Sequence, residues 1–297
     1  MTDLTPHAAL SVQRVRHDLR IRRLHVARTR LVTPSLLCVT LTGSELGGFI
    51  SASFDDHLKL LLPAPGTNEL VLPVLTPNGL SHPDPARKPV ARDYTPRRYD
   101  ARAQELDIEF FLHEAGPASD WARNAQVGDT VGIAGPRGSF VVPDAFDWHV
   151  LIGDESALPA IARRFEELPE QARIIALIEV DDEAGQIALA ARANSQVTWV
   201  HRNGAGGGVA AGGDARSATD AGSAASASTS DLPELAQAAA RLTLPAGEGF
   251  VWVAAESKVS RAVRTVMVER HGVDRQRIRA SAYWKKGEQG VHETVED

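Results

Sequence analysis

The rhythm of apolar and polar residues changes once along this 297-residue chain, near Asp144. Upstream, from about Leu24 to Val142, short apolar stretches are separated by Gly and Pro turns. Leu106, Ile108, Phe110 and Leu112 alternate with Asp107, Glu109, Phe111 and His113, the period-two pattern of a strand. Residues 36–41 and 57–62 predict further strands, and 131–133 and 140–142 flank the turn Gly135-Pro136-Arg137-Gly138. Many short strands with even turn spacing predict a small closed antiparallel β-barrel.

Downstream the period lengthens. Residues 149–153 read as a short apolar strand, followed by a helix in which Leu158, Ile161, Phe165 and Leu168 share one face. Residues 174–180 are a nearly continuous apolar run, as expected for a strand covered on both faces. Residues 197–200 and 250–254 predict two more strands, and Val259, Val263, Val266 and Met267 mark a helix over about 258–270. Strands alternating with helices predict a parallel-sheet α/β domain, which binds ligands beyond the carboxyl ends of its strands. The predicted organisation is a β domain over 1–145, with 1–20 a flexible arm, and an α/β domain over 146–297 with a basic C-terminal tail. Within the second domain lies 203–230, a low-complexity run of Gly, Ala, Ser, Thr and Asp. It holds too little apolar surface to offset ordering, so it is expected to be a flexible insertion between a strand and a helix near 232–242.

Composition narrows the chemistry. The net charge of −6 leaves no nucleic-acid footprint over the whole molecule, so an anionic ligand requires a local basic patch. A single cysteine, Cys38, excludes an internal disulfide, a cysteine-ligated iron–sulfur cluster and a cysteine-rich zinc site. His57, His82 and His113 are not spaced as a metal cage, so no protein-ligated metal is expected. Neither a Gly-x-Ser-x-Gly elbow nor a P-loop occurs. With no apolar run of membrane-spanning or signal-peptide length, a cytoplasmic protein without membrane insertion is expected. The oligomeric state stays open.

The richest chemistry lies in Arg92-Asp93-Tyr94-Thr95-Pro96-Arg97, then His113, then Gly116-Pro117-Ala118-Ser119-Asp120-Trp121. Arginine offers a planar fork suited to pyrophosphate, tyrosine an aromatic face and threonine a short donor and acceptor. The Gly-Pro-Ala-Ser turn opens a short helix, where unpaired backbone N–H groups favour an anion. With Gly128-Asp129 and Gly135-Pro136-Arg137-Gly138-Ser139-Phe140 following in order, the chain resembles the siderophore-interacting, ferric-siderophore reductase family. That family is a branch of the ferredoxin-reductase-like flavoproteins. The resemblance covers nearly the whole chain outside the insertion and the extreme termini.

The resemblance implies an FAD-binding N-terminal barrel and an NAD(P)H-binding C-terminal domain. Arg92 would bind the FAD pyrophosphate, Tyr94 would contact the isoalloxazine or ribityl chain, and Thr95 would sit near the reactive ring nitrogen. His113 would border the ring system, and Ala118 and Ser119 would hold phosphate. Arg97 is either a further phosphate ligand or a solvated arginine, and Trp121 either stacks on adenine or packs under its own loop. Gly153, Asp154, Ser156 and Ala157, at a strand-to-helix switch, would form the nicotinamide site with Glu256; without the resemblance they read as a capped helix start. Ala255 stands where the family usually has glycine, so its methyl is expected to crowd the nicotinamide. Trp284, Lys285 and Lys286, with Lys59 and Arg137, would bind an anionic ferric siderophore, against a plain reading as surface residues. Arg192 and Arg202 are both available to a 2′-phosphate, leaving NADH and NADPH open. The implied activity is FAD-dependent reduction of siderophore-bound Fe(III) by NAD(P)H. The alternatives are a general flavin or electron-transfer reductase and a non-catalytic flavin- or siderophore-binding module.

Overall fold

The computed structural model describes residues 10–67, 69–113, 116–202, 232–288, 290 and 293–295. The chain divides into two compact units. The first comprises Met1–Ala145, Pro159–Leu168 and Ile187–Leu189; the second comprises Phe146–Leu158, Pro169–Gln186 and Ala190–Asp297. The predicted insertion at 203–230 lies outside the described residues.

The first unit contains β1 (Gln13–Arg16), β2 (Ile21–Thr33), β3 (Leu36–Thr42), β4 (Leu58–Leu62), β5 (Val74–Thr76), β6 (Gly79–Ser81), β7 (Val90–Tyr94), β8 (Arg98–Asp100), β9 (Glu105–Phe111), β10 (Thr130–Ala134) and β11 (Gly138–Val141). Helices α1 (Pro117–Asn124) and α2 (Leu158–Glu167) complete it. Seven strands form one sheet in the order β7-β4-β10-β2-β3-β9-β8, every neighbour antiparallel. The alternation read from 106 to 113 appears in β9, whose Leu106, Ile108 and Phe110 enter a core with Leu24, Val39, Leu41, Leu60 and Ile133.

The predicted closed barrel is not formed. The ladder begins at β7 and ends at β8, and no described pairing joins those two. Yet the edge strands are consecutive in sequence, linked only by Thr95-Pro96-Arg97, so the sheet must curl to bring them together. Pro96 has no N–H to donate, and Arg97 N–H is spent on the Asp107 carbonyl at 2.9 Å. The predicted arm also differs over its described part: β1 pairs antiparallel with β11, Arg16 opposite Gly138, and His17 N–H donates to the Arg137 carbonyl at 2.9 Å.

The second unit holds β12 (Trp148–Gly153), β13 (Arg173–Val180), β14 (Ser195–His201), β15 (Gly249–Glu256), β16 (Ile278–Trp284) and β17 (Glu293–Thr294), with α3 (Glu234–Ala240) and α4 (Ser257–Glu269). The order is β14-β13-β12-β15-β16-β17. The first five are parallel and β17 runs antiparallel to β16, which makes the sheet mixed where an all-parallel one was expected. Strands β12 and β15 are buried along their whole length, the result of their continuous apolar sequences. At Gly249 an added Cβ would overlap the Trp148 ring on the neighbouring strand, so close packing there requires glycine. The chain runs outward from β12 to β13 and β14, then returns to β15 on the other side. This reversal makes the carboxyl ends of β12 and β15 the topological switch point. Among the described residues, no helix is long and apolar enough to cross a membrane, and no cluster of His, Cys, Asp and Glu is arranged to hold a metal ion.

Candidate functional site

In the first unit, β7 carries Arg92 and Tyr94 opposite Leu60 and Leu58 of β4. Arg92 Nη1 donates to the Ala91 carbonyl at 2.9 Å. The Tyr94 ring packs on Phe110 with centroids 4.5 Å apart, and burial pushes its phenol pKa up, keeping it a neutral hydroxyl. Thr95, directly after the strand, is buried. Arg97 is committed elsewhere: its fork meets Glu166 at 2.8 and 2.5 Å, with Glu109 at 3.8 Å behind it.

Helix α1 starts at Gly116, and among the described residues no side chain caps it. The N–H groups of Ala118 and Ser119 lie in its first turn, where the helix offers no acceptor. A Cβ at Gly116 would come within 2.5 Å of His113 Cε1, so the exposed His113 ring folds closely over this turn. Ser119 is fully buried and its Oγ donates to the Phe111 carbonyl at 3.3 Å, which anchors the helix to the end of β9. The Trp121 ring lies 5.7 Å from Phe110, continuing the aromatic row from Tyr94. Uncapped N–H groups, an arginine fork and a half-buried aromatic face form a donor set that suits a flavin dinucleotide.

Lys59 and Arg137 are exposed in the same unit, but Lys59 Nζ already pairs with Asp93 at 2.6 Å.

At the switch point of the second unit, Asp154 is buried and accepts four hydrogen bonds. Its Oδ1 takes Ser156 N–H at 2.9 Å and Ser156 Oγ at 2.5 Å; its Oδ2 takes Trp284 Nε1 at 2.8 Å and Glu256 N–H at 3.1 Å. Burial holds its pKa above the usual carboxylate range. Gly153, Asp154, Ser156, Ala157, Glu256 and Trp284 are thus brought together at the ends of β12, β15 and β16. Glu256 caps α4 through Oε2, accepting from Lys258 N–H at 2.6 Å and Val259 N–H at 3.3 Å, while Oε1 accepts from Lys286 N–H at 3.3 Å. Lys285 pairs with Glu288 at 2.6 Å. The Ala255 methyl is wholly buried in the apolar cluster with Val263, Ala280 and Ala282, so it occupies the core.

Sequence reading missed the acidic cage beside this hub. Arg202 donates to Glu155 at 2.8 Å and Glu179 at 3.0 Å, and also to Asp181, so both of its terminal nitrogens and Nε are engaged. Arg192 Nη1 donates to the Pro169 carbonyl at 2.6 Å. The acids at the end of the 174–180 run were the available signal, since strand ends at a switch point face the ligand side.

Residues 25–140 match the siderophore-interacting FAD-binding domain, and residues 146–287 match the siderophore-interacting protein model. The chain is 38% identical over 275 residues to the NADPH-dependent ferric-chelate reductase of Escherichia coli, covering 92% of this chain and 96% of that one. It is 33% identical over 277 residues to a ferric vibriobactin reductase of Vibrio cholerae, covering 92% and 93% respectively. A siderophore utilization protein from T. fusca superposes with a TM-score of 0.79 at 36% identity, over 95% of this chain and 98% of that one. The chain belongs to the siderophore-interacting protein family.

Proposed function

We propose that this chain is a flavoenzyme that uses NAD(P)H to reduce Fe(III) held by a siderophore, with FAD as its cofactor and the cytoplasm as its place of work. The observation that carries the reading is the uncapped start of α1 at Gly116, in the unit that also presents Arg92, Tyr94 and Thr95. Residues 1–145 are the flavin domain and 146–297 the nicotinamide domain. FAD, when bound, accepts a hydride and passes electrons on singly. The protein's own work is positioning. Arg92 and the N–H groups of Ala118 and Ser119 bind the pyrophosphate, while Tyr94, Thr95 and His113 border the ring. Trp121 supports this face through Phe110, and Arg97 braces the strand through Glu166.

In the second unit, Asp154 orients the Ser156 turn and the Trp284 indole, and the strand-to-helix turn from Gly153 to Ala157 frames the nicotinamide. Glu256 keeps the start of α4 in place. The ferric siderophore is substrate, and the candidates to bind it are Lys59 and Arg137 in the first unit and Trp284, Lys285 and Lys286 in the second. Reduction loosens it because hard oxygen donors hold Fe(II) less firmly than Fe(III). One observation favours a broader acceptor range: Lys59 and Lys285 each carry a carboxylate partner, which weakens their pull on an anion.

Anaerobic titration tests the reading. NADPH or NADH should bleach the yellow purified protein, and a ferric siderophore should restore the colour while an Fe(II) chelator reports product. A colourless protein that takes up no added FAD would sink the proposal; bleaching restored only by free flavins would move it to a general flavin reductase.

A further inference from the structure

Helix α2 follows β12 in sequence, yet Pro159–Leu168 packs with the first unit. Its charged side chains reach that unit in two different ways. Arg164 donates from Nη2 to the Val142 carbonyl at 3.1 Å, pairs with Asp144 at 2.9 Å and lies 5.0 Å from the centre of the Phe54 ring. Those contacts anchor the helix. Arg163 and Glu166, one turn apart and so on one face, meet Pro96 and Arg97 instead. Both partners belong to the Thr95-Pro96-Arg97 linker that joins the edge strands β7 and β8.

The Arg163 side chain is 11% exposed, and every nitrogen of its guanidinium is engaged. Nη1 donates to the Pro96 carbonyl at 2.9 Å and to Ser51 Oγ at 2.7 Å, Nη2 to the Ser51 carbonyl at 3.1 Å, and Nε to Glu167 at 2.5 Å. Ser51 is itself held. Its Oγ donates to Asp56 Oδ2 at 2.9 Å, and the same oxygen accepts Ser53 N–H at 3.1 Å and Ser139 Oγ at 2.7 Å. Asp56 is buried just before β4, whose Leu58 stands opposite Tyr94. One guanidinium therefore ties the linker after Tyr94 to a fixed corner before β4. The linker has few other restraints, since Pro96 has no N–H and no described pairing joins β7 to β8. A rigid planar fork suits this bridge between two segments, where a single ammonium on a flexible stem would not.

We propose that Arg163 is a positioning residue for the flavin: together with Glu166 on Arg97, it clamps the Thr95–Arg97 linker so that Tyr94 and Thr95 are set for the isoalloxazine before the cofactor arrives. The proposal rests on the flavin reading above. Neither arm of the clamp uses the Thr95 hydroxyl, so neither competes with the ring for it. Ordering the linker in the folded apoprotein removes an entropic cost from FAD binding. An arginine that only anchored the helix would act through stability alone, as Arg164 is placed to do.

Arg163→Met and Arg164→Met each keep an unbranched stem and remove one guanidinium from the same helix, so comparing them separates the two roles. Both should lower the denaturation midpoint. In the FAD-free protein, only Arg163→Met should speed hydrogen exchange of the Thr95, Arg97 and Arg98 amides, by roughly tenfold, the worth of one hydrogen bond to a charged group. When FAD is added, that variant alone should show a Kd raised by a similar factor and a shifted absorption band of the bound flavin. Glu166→Gln alters a carboxylate that is half exposed and should move the same readouts less. It carries the test alone if Arg163→Met does not fold. Readouts that stay still in the clamp variants, or that move equally in Arg164→Met, would overturn the proposal and leave Arg163 an ordinary helix anchor. A parent protein that takes up no FAD is a different result. It strikes the flavin reading, while the exchange comparison, made without cofactor, still reports whether the clamp holds the linker.

Discussion

Around α1 and β7 the first unit presents donors: a helix start that no described side chain caps and an arginine fork on a strand end. At the carboxyl ends of β12, β15 and β16 the second unit does the reverse. Asp154 fills both its oxygens with protein donors, Glu256 closes a helix start, and Arg202 is surrounded by carboxylates. The first region offers donors suited to an anion, and its groups should reveal themselves through binding. The second is a self-satisfied frame that presents backbone, and its charged groups should reveal themselves through stability. Residue type alone would have ranked Asp154 and Arg92 together as ligand contacts. Their partners separate them.

The strongest test of that contrast is Asp154→Ala. The change strands Ser156 N–H and Glu256 N–H in a buried site, and each orphaned donor costs about 1–3 kcal/mol. The denaturation midpoint should fall markedly, with the Trp284 fluorescence altered because its indole N–H loses Oδ2 at 2.8 Å. FAD affinity should change little. A variant as stable as the parent, defective only in NAD(P)H oxidation, would show that Asp154 is a ligand contact after all.

Arg92→Ala should behave in the opposite way. The side chain is half-buried and its Nη1 donates to the adjacent Ala91 carbonyl, so the loss of folding stability should be smaller than that of Asp154→Ala. FAD binding should weaken by roughly 1.5–3 kcal/mol, as for hydrogen bonds to a charged group. Quenching of flavin fluorescence on titration measures it. Unchanged affinity would remove Arg92 from the pyrophosphate site.

These two cases also mark how far a sequence can be read. The periods of β9 and β13 declare themselves because burial on one face or two is a local property. β2 was harder: its buried positions include Arg22, so the apolar alternation breaks where the strand begins. What accommodates Arg22 is three carbonyls from loops 23 to 113 residues away. The flavin motif was legible as a contiguous string, but Arg97 meeting Glu166 across 69 residues and Trp284 meeting Asp154 across 130 were not. Barrel closure requires pairing between β7 and β8, which turn spacing does not carry.

A smaller effect concerns pH. Asp154, Asp56, Glu155, Glu179 and Glu109 all have raised pKa values, with burial the main cause in each. The folded state then holds protons more tightly than the unfolded chain, so stability falls as pH rises from the ordinary carboxylate range through the raised values. Asp84, Asp100 and Glu105 are shifted downward, but all three are at the surface and oppose this only weakly. Chemical denaturation between about pH 4 and pH 8 should show the decline. Asp154→Asn should flatten it, and an identical slope in that variant would mean Asp154 ionises without strain.

The smallest expected effect is at the C-terminal cations. Lys285 is exposed and paired with Glu288, and Lys286 is engaged through its backbone N–H to Glu256. If they steer an anionic chelate, the Lys285→Ala/Lys286→Ala variant should raise the siderophore KM a few-fold at low ionic strength. The difference should vanish as salt rises, because exposed charges are screened beyond a Debye length of about 8–10 Å near physiological ionic strength. The rate of flavin reduction by NAD(P)H should stay unchanged, since the contacts that frame Asp154 do not involve either ammonium group. Stopped-flow measurement of the two half-reactions at two salt concentrations separates the outcomes. Siderophore kinetics indifferent to both the substitution and the salt would reduce this tail to solvated surface.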